Sequence, residues 1–413
     1  MAETRPWGGS RLQLRTLSVL SGIVILGGLS LASAITAGGL LVAEVSGSAT
    51  AAGLGQTSVV LGAAALAVPL ARLSSRFGRR KGLATGLATG CLGAVVVVSG
   101  AASGLLAVLL LGLLLFGGAQ ATVLQARFTA NDLSVPATMG RDLSLILWMS
   151  AVGAIAGPNL VAPSATTAQA LGLPGLSGPF LWSAVGLLLA MVLLWAGLRP
   201  DPLLVAREEA DPGEQSQRHS LSETLRHVAA LPGARLAVLA MLSANAAMVG
   251  LMVMTPVQLR HSGHALTIVG IVISVHVAGM FLFAPVFGIL ADRLGRPPVI
   301  GAGAAVLILA GLLAAMAPSD TVPVGVALFL LGLGWSMCIV SASALLSASV
   351  AIDYRASAQG FADLAMGLAG AFAGVLAGPI FGLGSFTVLG LVVAAISVPM
   401  LIVAPRARVS EQV

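Results

Sequence analysis

Apolar residues dominate this chain in twelve long stretches, separated by short polar turns: 17–42, 52–71, 83–100, 103–126, 143–163, 178–198, 235–258, 266–290, 298–317, 322–348, 357–383 and 385–404. A helix needs about 20 apolar residues to cross the hydrocarbon core of a bilayer. Each stretch therefore predicts a membrane-spanning helix, and the fold class is all-α membrane protein. The spacing of polar positions changes once, between the sixth and seventh stretches. Residues 199–234 carry Glu208, Glu209, Asp211, Glu214 and Glu223 among arginines, and form the only polar connection of any length. We read them as a linker, with a short amphipathic helix after Ser220. The expected organisation is a six-helix half over 1–198, a linker over 199–234 and a second half over 235–413.

Two of the short turns are near-copies. Ala71 to Leu83 reads A-R-L-S-S-R-F-G-R-R-K-G-L, and Gly288 to Ile300 reads G-I-L-A-D-R-L-G-R-P-P-V-I. Gly78 and Gly295 permit a sharp bend, and the arginines keep the turn in water. Both turns lie on one side of the membrane. With the N-terminus inside, 20 of the 21 Lys and Arg fall on that side and Arg260 alone on the other. That asymmetry places both termini and the basic turns in the cytoplasm.

The halves also repeat. Asp132, Asp142, Gly153, Gly157 and Pro158 each meet their own residue type 221 positions later, at Asp353, Asp363, Gly374, Gly378 and Pro379. Five matches at one offset predict parallel repeats, two pseudo-symmetric six-helix bundles related by an axis along the membrane normal.

Composition narrows the function. The chain is 57% hydrophobic and 9% charged over 413 residues, which excludes an ordinary soluble domain. Its net charge of +6 comes from residues in loops, so it marks topology and not a nucleic-acid face. Cys91 and Cys338 sit inside apolar runs and form no disulfide framework. No phosphate-binding G-x-x-x-x-G-K-S/T occurs, so ATP is not the energy source, and no clustered catalytic groups suggest an enzyme. No cofactor or metal is called for. His261 and His264 form an isolated H-x-x-H without a second ligand cluster.

The turn sequence resembles the signature of the major facilitator superfamily, G-x-L-A-D-R-x-G-R-R/K. Gly288, Leu290, Ala291, Asp292, Arg293, Gly295 and Arg296 match it; in the first copy Leu73, Arg76, Gly78, Arg79 and Arg80 match, while Ala71 and Ser75 replace Gly and Asp. G-A-I-A-G-P-N-L at 153–160 resembles the G-x-x-x-G-P motif of proton-coupled exporters in that superfamily, although Val161 and Ala162 stand where a glycine pair usually follows. The family's arginine in the fourth helix is absent, with Leu113 near its place.

The resemblance implies roles for particular residues. The basic turns would latch one of two gated states: Arg76 and Arg79 on Asp132, Arg293 and Arg296 on Asp353, with Asp292 against a helix N-terminus and Asp363 as a further arginine partner. Gly153, Gly157 and Pro158, with Gly374, Gly378 and Pro379, would allow close packing against the opposing half and kink their helices. The first, fourth, seventh and tenth helices line the central path in this fold, which puts Gln120, Gln125, Asn245, Met248, Met252, Trp335 and Met337 at the cavity. A lining so poor in charge suits an apolar or amphipathic molecule. For proton coupling the ionisable candidates are His276 and, at the outer mouth, Glu44. The combined expectation is a monomeric secondary transporter of the cell (inner) membrane that exports small hydrophobic or amphipathic molecules in exchange for protons. The alternatives are a facilitator or importer of a metabolite, and a receptor or assembly protein that kept the fold and lost transport.

Overall fold

The computed structural model describes residues 11–134, 139–209 and 221–404. Fifteen α-helices occur among them: α1 Arg11–Ser46, α2 Gly53–Phe77, α3 Arg79–Ser103, α4 Leu106–Asn131, α5 Met139–Ala156, α6 Val161–Ala170, α7 Gly178–Gly197, α8 Pro202–Glu209, α9 Leu221–Ala230, α10 Pro232–His261, α11 Leu266–Phe281, α12 Ala284–Leu294, α13 Arg296–Met316, α14 Thr321–Ser349 and α15 Ile352–Val403. Ten helical stretches are long and apolar enough to cross a membrane. The twelve spans of the sequence are recovered from these once two breaks are recognised. α15 turns at Ser385 (φ 76°, ψ 173°), so its length holds two spans. α5 and α6 are joined by a 3-10 turn over Gly157–Leu160, so this span is interrupted where Pro158 cannot donate to the helix ladder. A proline also explains the break between α11 and α12, where Pro285 occupies the first turn of α12.

The chain divides into two units. The first comprises 1–47 and 58–214; the second comprises 48–57 and 215–413. In the first, α1 is the central helix, with 61% of its apolar window buried, against 28% for the stretch containing α7. Small residues make the centre: α1 and α5 approach closely where Gly28 faces the α5 backbone at Ser150 and Gly153. Such approach replaces the hydrophobic effect as the means of holding helices together in lipid. In the second unit α10 is central, 72% buried over its window, and packs on α14 and α15.

Segment 48–57 belongs to the second unit because it lies on α15. Thr57 Oγ1 donates to Ala371 O at 3.1 Å. The linker's second helix, α9, joins the same unit, burying Thr224 and Val228 and stacking His227 on Tyr354 at 4.1 Å between centroids. Residues 210–220 of the expected linker lie outside the described set.

Candidate functional site

The first basic turn is built around Gly78. Its φ of 92° is a conformation that side-chain-bearing residues avoid, and it separates α2 from α3 within one residue. The turn delivers Arg79 to Asp132, at the end of α4. Nε lies 2.8 Å from Oδ2 and Nη2 2.9 Å from Oδ1, a two-pronged pair in which the partners are 18% and 9% exposed. Arg76 does not share this pair. It is exposed in the last turn of α2, with its guanidinium 5.2 Å from the Phe77 ring centroid.

Asp201 closes the turn from outside it. Its Oδ1 accepts from Arg79 N at 3.1 Å and Leu203 N at 3.1 Å, and its Oδ2 accepts from Arg80 N at 2.8 Å. One carboxylate thus caps the positive ends of both α3 and α8. A Cβ on Gly78 would lie 2.5 Å from Asp201 Oδ2, so glycine is required there for space as well as for φ. Nearby, Gln13 Nε2 on α1 reaches Ala130 O at 2.8 Å and Asp142 Oδ2 at 2.9 Å, while Ser134 Oγ donates to the same Asp142 oxygen at 2.8 Å. These contacts tie the ends of α1, α4 and α5 together around a carboxylate that is 1% exposed.

The matching turn of the second unit has Gly295 at φ 88°. Asp292 and Arg293 end α12 exposed, Arg296 begins α13 partly buried, and Asp363 is exposed on α15. The side chain of Asp353, the expected partner of the two arginines, lies outside the described residues.

The two G-x-x-x-G-P segments serve different neighbours. Gly153 and Gly157 face α1 of their own unit, where added Cβ atoms would meet Ile25 O and, at 2.7 Å, Ala32 Cβ and Leu29 O. Within this unit, the neighbour of that face is α1. Gly374 and Gly378 face segment 48–57, where Cβ atoms would meet Thr57 Oγ1 at 3.2 Å and the Thr50 backbone. Pro158 is buried and Pro379 is exposed.

Among the interior candidates, Asn245 of α10 is the best connected. Its Nδ2 donates to Met366 O of α15 at 2.9 Å, and its Oδ1 accepts from Trp335 Nε1 of α14 at 3.1 Å. Gly370 leaves the room for this, since a Cβ there would lie 2.6 Å from Asn245 Nδ2. The Trp335 ring packs edge-on against Phe281, 6.3 Å between centroids. Met248 and Met252 lie one and two turns further along the Asn245 face of α10. Met337 does not join them. It is two residues from Trp335, on the opposite side of α14, and is buried with Ala291 and Val299. It is a core residue of the α12–α14 packing, which corrects its place in the expected lining. In the first unit, Gln120 and Gln125 of α4 each enclose an amide oxygen with no hydrogen-bond partner, and Gln125 Nε2 donates to Ala67 O at 3.3 Å.

His276 is fully buried in α11, its Nδ1 2.7 Å from Leu328 O of α14. Its Nε2 has no partner. Glu44 is exposed near the end of α1. His264 lies against Ser319 O and Thr321 Oγ1, and His261 against the Phe381 ring; no group of three metal-binding side chains occurs among the described residues.

Asp201, Gln13 and Asp142 were not singled out for function in the sequence. A local signal existed for Asp201, since Asp followed by Pro202 is a helix-start pattern. Its reach to α3 has no local signal, because it depends on α7 ending beside the basic turn.

This architecture and its paired basic turns are those of a transport protein built from two helical units. The chain belongs to the Major Facilitator Superfamily, whose model matches residues 19–266 and 259–412. It is thus a multi-pass integral membrane transporter. The chain is similar to the MFS-type transporter YdeG of Bacillus subtilis (strain 168), at 37% identity over 92% of this chain and 89% of that protein. It is also similar to the riboflavin transporter RfnT of Brucella anthropi, at 27% identity over 85% of each. Among solved structures, the nucleoside transporter NupG shares the fold, with a TM-score of 0.73 at 16% identity, covering 96% of this chain and 98% of that one.

Proposed function

We propose that this chain exports small hydrophobic or amphipathic organic molecules in exchange for protons, by alternating access in a cell (inner) membrane, as a monomer with its basic turns cytoplasmic. The observation that carries the reading is the Asn245–Trp335–Phe281 group. It is polar and aromatic, it holds no formal charge, and Asn245 fixes the indole so that its N–H is already satisfied. Such a surface favours a flat or apolar ligand face over a sugar or a phosphate. The unpartnered amide oxygens of Gln120 and Gln125 add acceptors for a ligand's N–H or O–H groups. Export is supported by the G-x-x-x-G-P segment at 153–158. The halves 1–198 and 235–413, joined by 199–234, would rock about the ligand, with Arg79–Asp132, Asp292, Arg293, Arg296, Asp353 and Asp363 biasing one state.

Proton coupling falls to His276, whose Nε2 is a buried acceptor without a partner. A second reading is favoured by the likeness to the riboflavin transporter: a facilitator or importer of a flat heteroaromatic metabolite. Everted vesicles with an acidic interior test both. Uptake of an amphipathic aromatic dye that collapses when the pH gradient is dissipated supports export by proton exchange. Riboflavin flux indifferent to the gradient supports the second reading. Flux of neither leaves a receptor or assembly role, and the exporter reading falls.

A further inference from the structure

At the basic end of the first unit, α3 begins where α7 finishes. The acids of this corner already have partners. Asp132 holds Arg79, and Asp201 accepts from the backbone N–H groups of Arg79, Arg80 and Leu203. Neither accepts a hydrogen bond from the Nε or Nη2 of Arg80. Its guanidinium carbon lies 3.9 Å from the centroid of the Trp195 ring, and its Nε and Nη2 are covered without any acceptor. Stacking on an indole attracts the charge but leaves the in-plane N–H groups unmatched. Beside it, Arg76 and Lys81 lie over Phe77, at 5.2 and 5.1 Å. Both aromatic rings are open to the surroundings, Phe77 by 43% and Trp195 by 41%. Arg199 adds positive charge close to Arg80, which Asp201 opposes.

Cations and exposed rings therefore alternate along one edge of the bundle, at the ends of spanning helices. That is the level of lipid headgroups, where tryptophan settles with its ring between water and hydrocarbon. We propose that this corner binds the phosphate of an anionic lipid in the leaflet at the basic end. Arg76 and Lys81, both exposed, contact the phosphate, Arg80 adds its charge beside them, and Phe77 and Trp195 seat the glycerol and the first acyl carbons. The exposed guanidinium of Arg76 offers phosphate oxygens a fork of N–H donors. The site lies within the first unit and is independent of the transported molecule.

Native mass spectrometry of the full chain in detergent tests this, with dioleoyl phosphatidylglycerol and dioleoyl phosphatidylcholine offered at equal concentration. The wild type should retain the anionic lipid with about tenfold preference, and Arg80→Gln should lower that preference about fivefold, as expected for one charge at a membrane surface. If Arg80→Gln does not fold, the double substitution Arg76→Gln/Lys81→Gln reads the same property, since both side chains are exposed and lie over Phe77. Arg260→Gln, at the far end of α10, should leave the preference unchanged. Equal retention of the two lipids by the wild type, or a preference that survives loss of Arg80 or of Arg76 and Lys81, overturns the proposal. Displacement of phosphatidylglycerol by inorganic phosphate alone would overturn the lipid assignment in favour of a soluble phosphate compound.

Discussion

Replacing Asp132 with asparagine removes one charge from its pair with Arg79 and leaves the guanidinium in a pocket built for two. The pair has two short bonds, 2.8 and 2.9 Å, and its partners are 18% and 9% exposed. Fully exposed pairs are worth about 0.2–1 kcal/mol, and breaking fully buried ones costs about 3–5 kcal/mol. At this burial, with Arg79 still touching solvent, the coupling should be about 2 kcal/mol. Arg79 also contributes its backbone N–H to Asp201, and that bond survives a change of side chain. The double-mutant cycle Arg79→Gln, Asp132→Asn and both together isolates the side-chain pair. Unfolding of the purified protein across a series of detergent mixtures that raise the denaturing fraction gives the stability of each variant. The double variant should be less damaged than the two singles combined, by the coupling. If the single costs add to within about 0.5 kcal/mol, the pair contributes nothing and the reasoning fails.

The matched turns permit an internal comparison. Gly78→Ala and Gly295→Ala should share a penalty of about 1–3 kcal/mol for a backbone region reserved for glycine, but only the first forces a Cβ against Asp201, so its melting temperature should fall further. Equal shifts would show that the Asp201 cap does not constrain the turn. Asn245→Ala strands the Trp335 N–H and the Met366 carbonyl, costs about 1–3 kcal/mol, and should shift tryptophan emission and weaken substrate binding; unaltered emission would deny the indole its anchor. His276→Gln should leave substrate binding intact and abolish the dependence of flux on the pH gradient, and retained coupling would remove His276 from the proton path. Gly157→Val places a branched side chain against Ala32 and Leu29 and should reduce the folded yield more than Ala156→Val, whose position is exposed; equal yields would argue against the close α1–α5 approach.

Much of the fold was legible because lipid imposes one rule on every span. A run of about 20 apolar residues must be helical to satisfy its backbone, and arginines cannot be left in the hydrocarbon. Hence the run boundaries, the basic turns at Gly78 and Gly295 and the break at Pro158 could be read from the chain. Side-chain direction was less legible. Trp335 and Met337 are two residues apart in a helix apolar on all sides, and periodicity does not say which of them packs against α12 and α13. Gly157 shows the same limit, since a small face predicts close contact without naming its partner. Asp201 and Gln13 depend on helix ends meeting in space, and nothing local encodes that meeting. The bonds of the Asn245 amide to Trp335 and Met366, which hold the ring in position, likewise have no local signal.

Transport itself is tested most directly by trans-stimulation in proteoliposomes of the purified chain. Vesicles preloaded with an unlabelled amphipathic aromatic compound should take up the labelled compound faster than empty vesicles, because a carrier returns more rapidly when occupied, and Trp335→Ala should lose the acceleration. Uptake at the same rate into loaded and empty vesicles, with the protein inserted and folded, would contradict an alternating-access carrier.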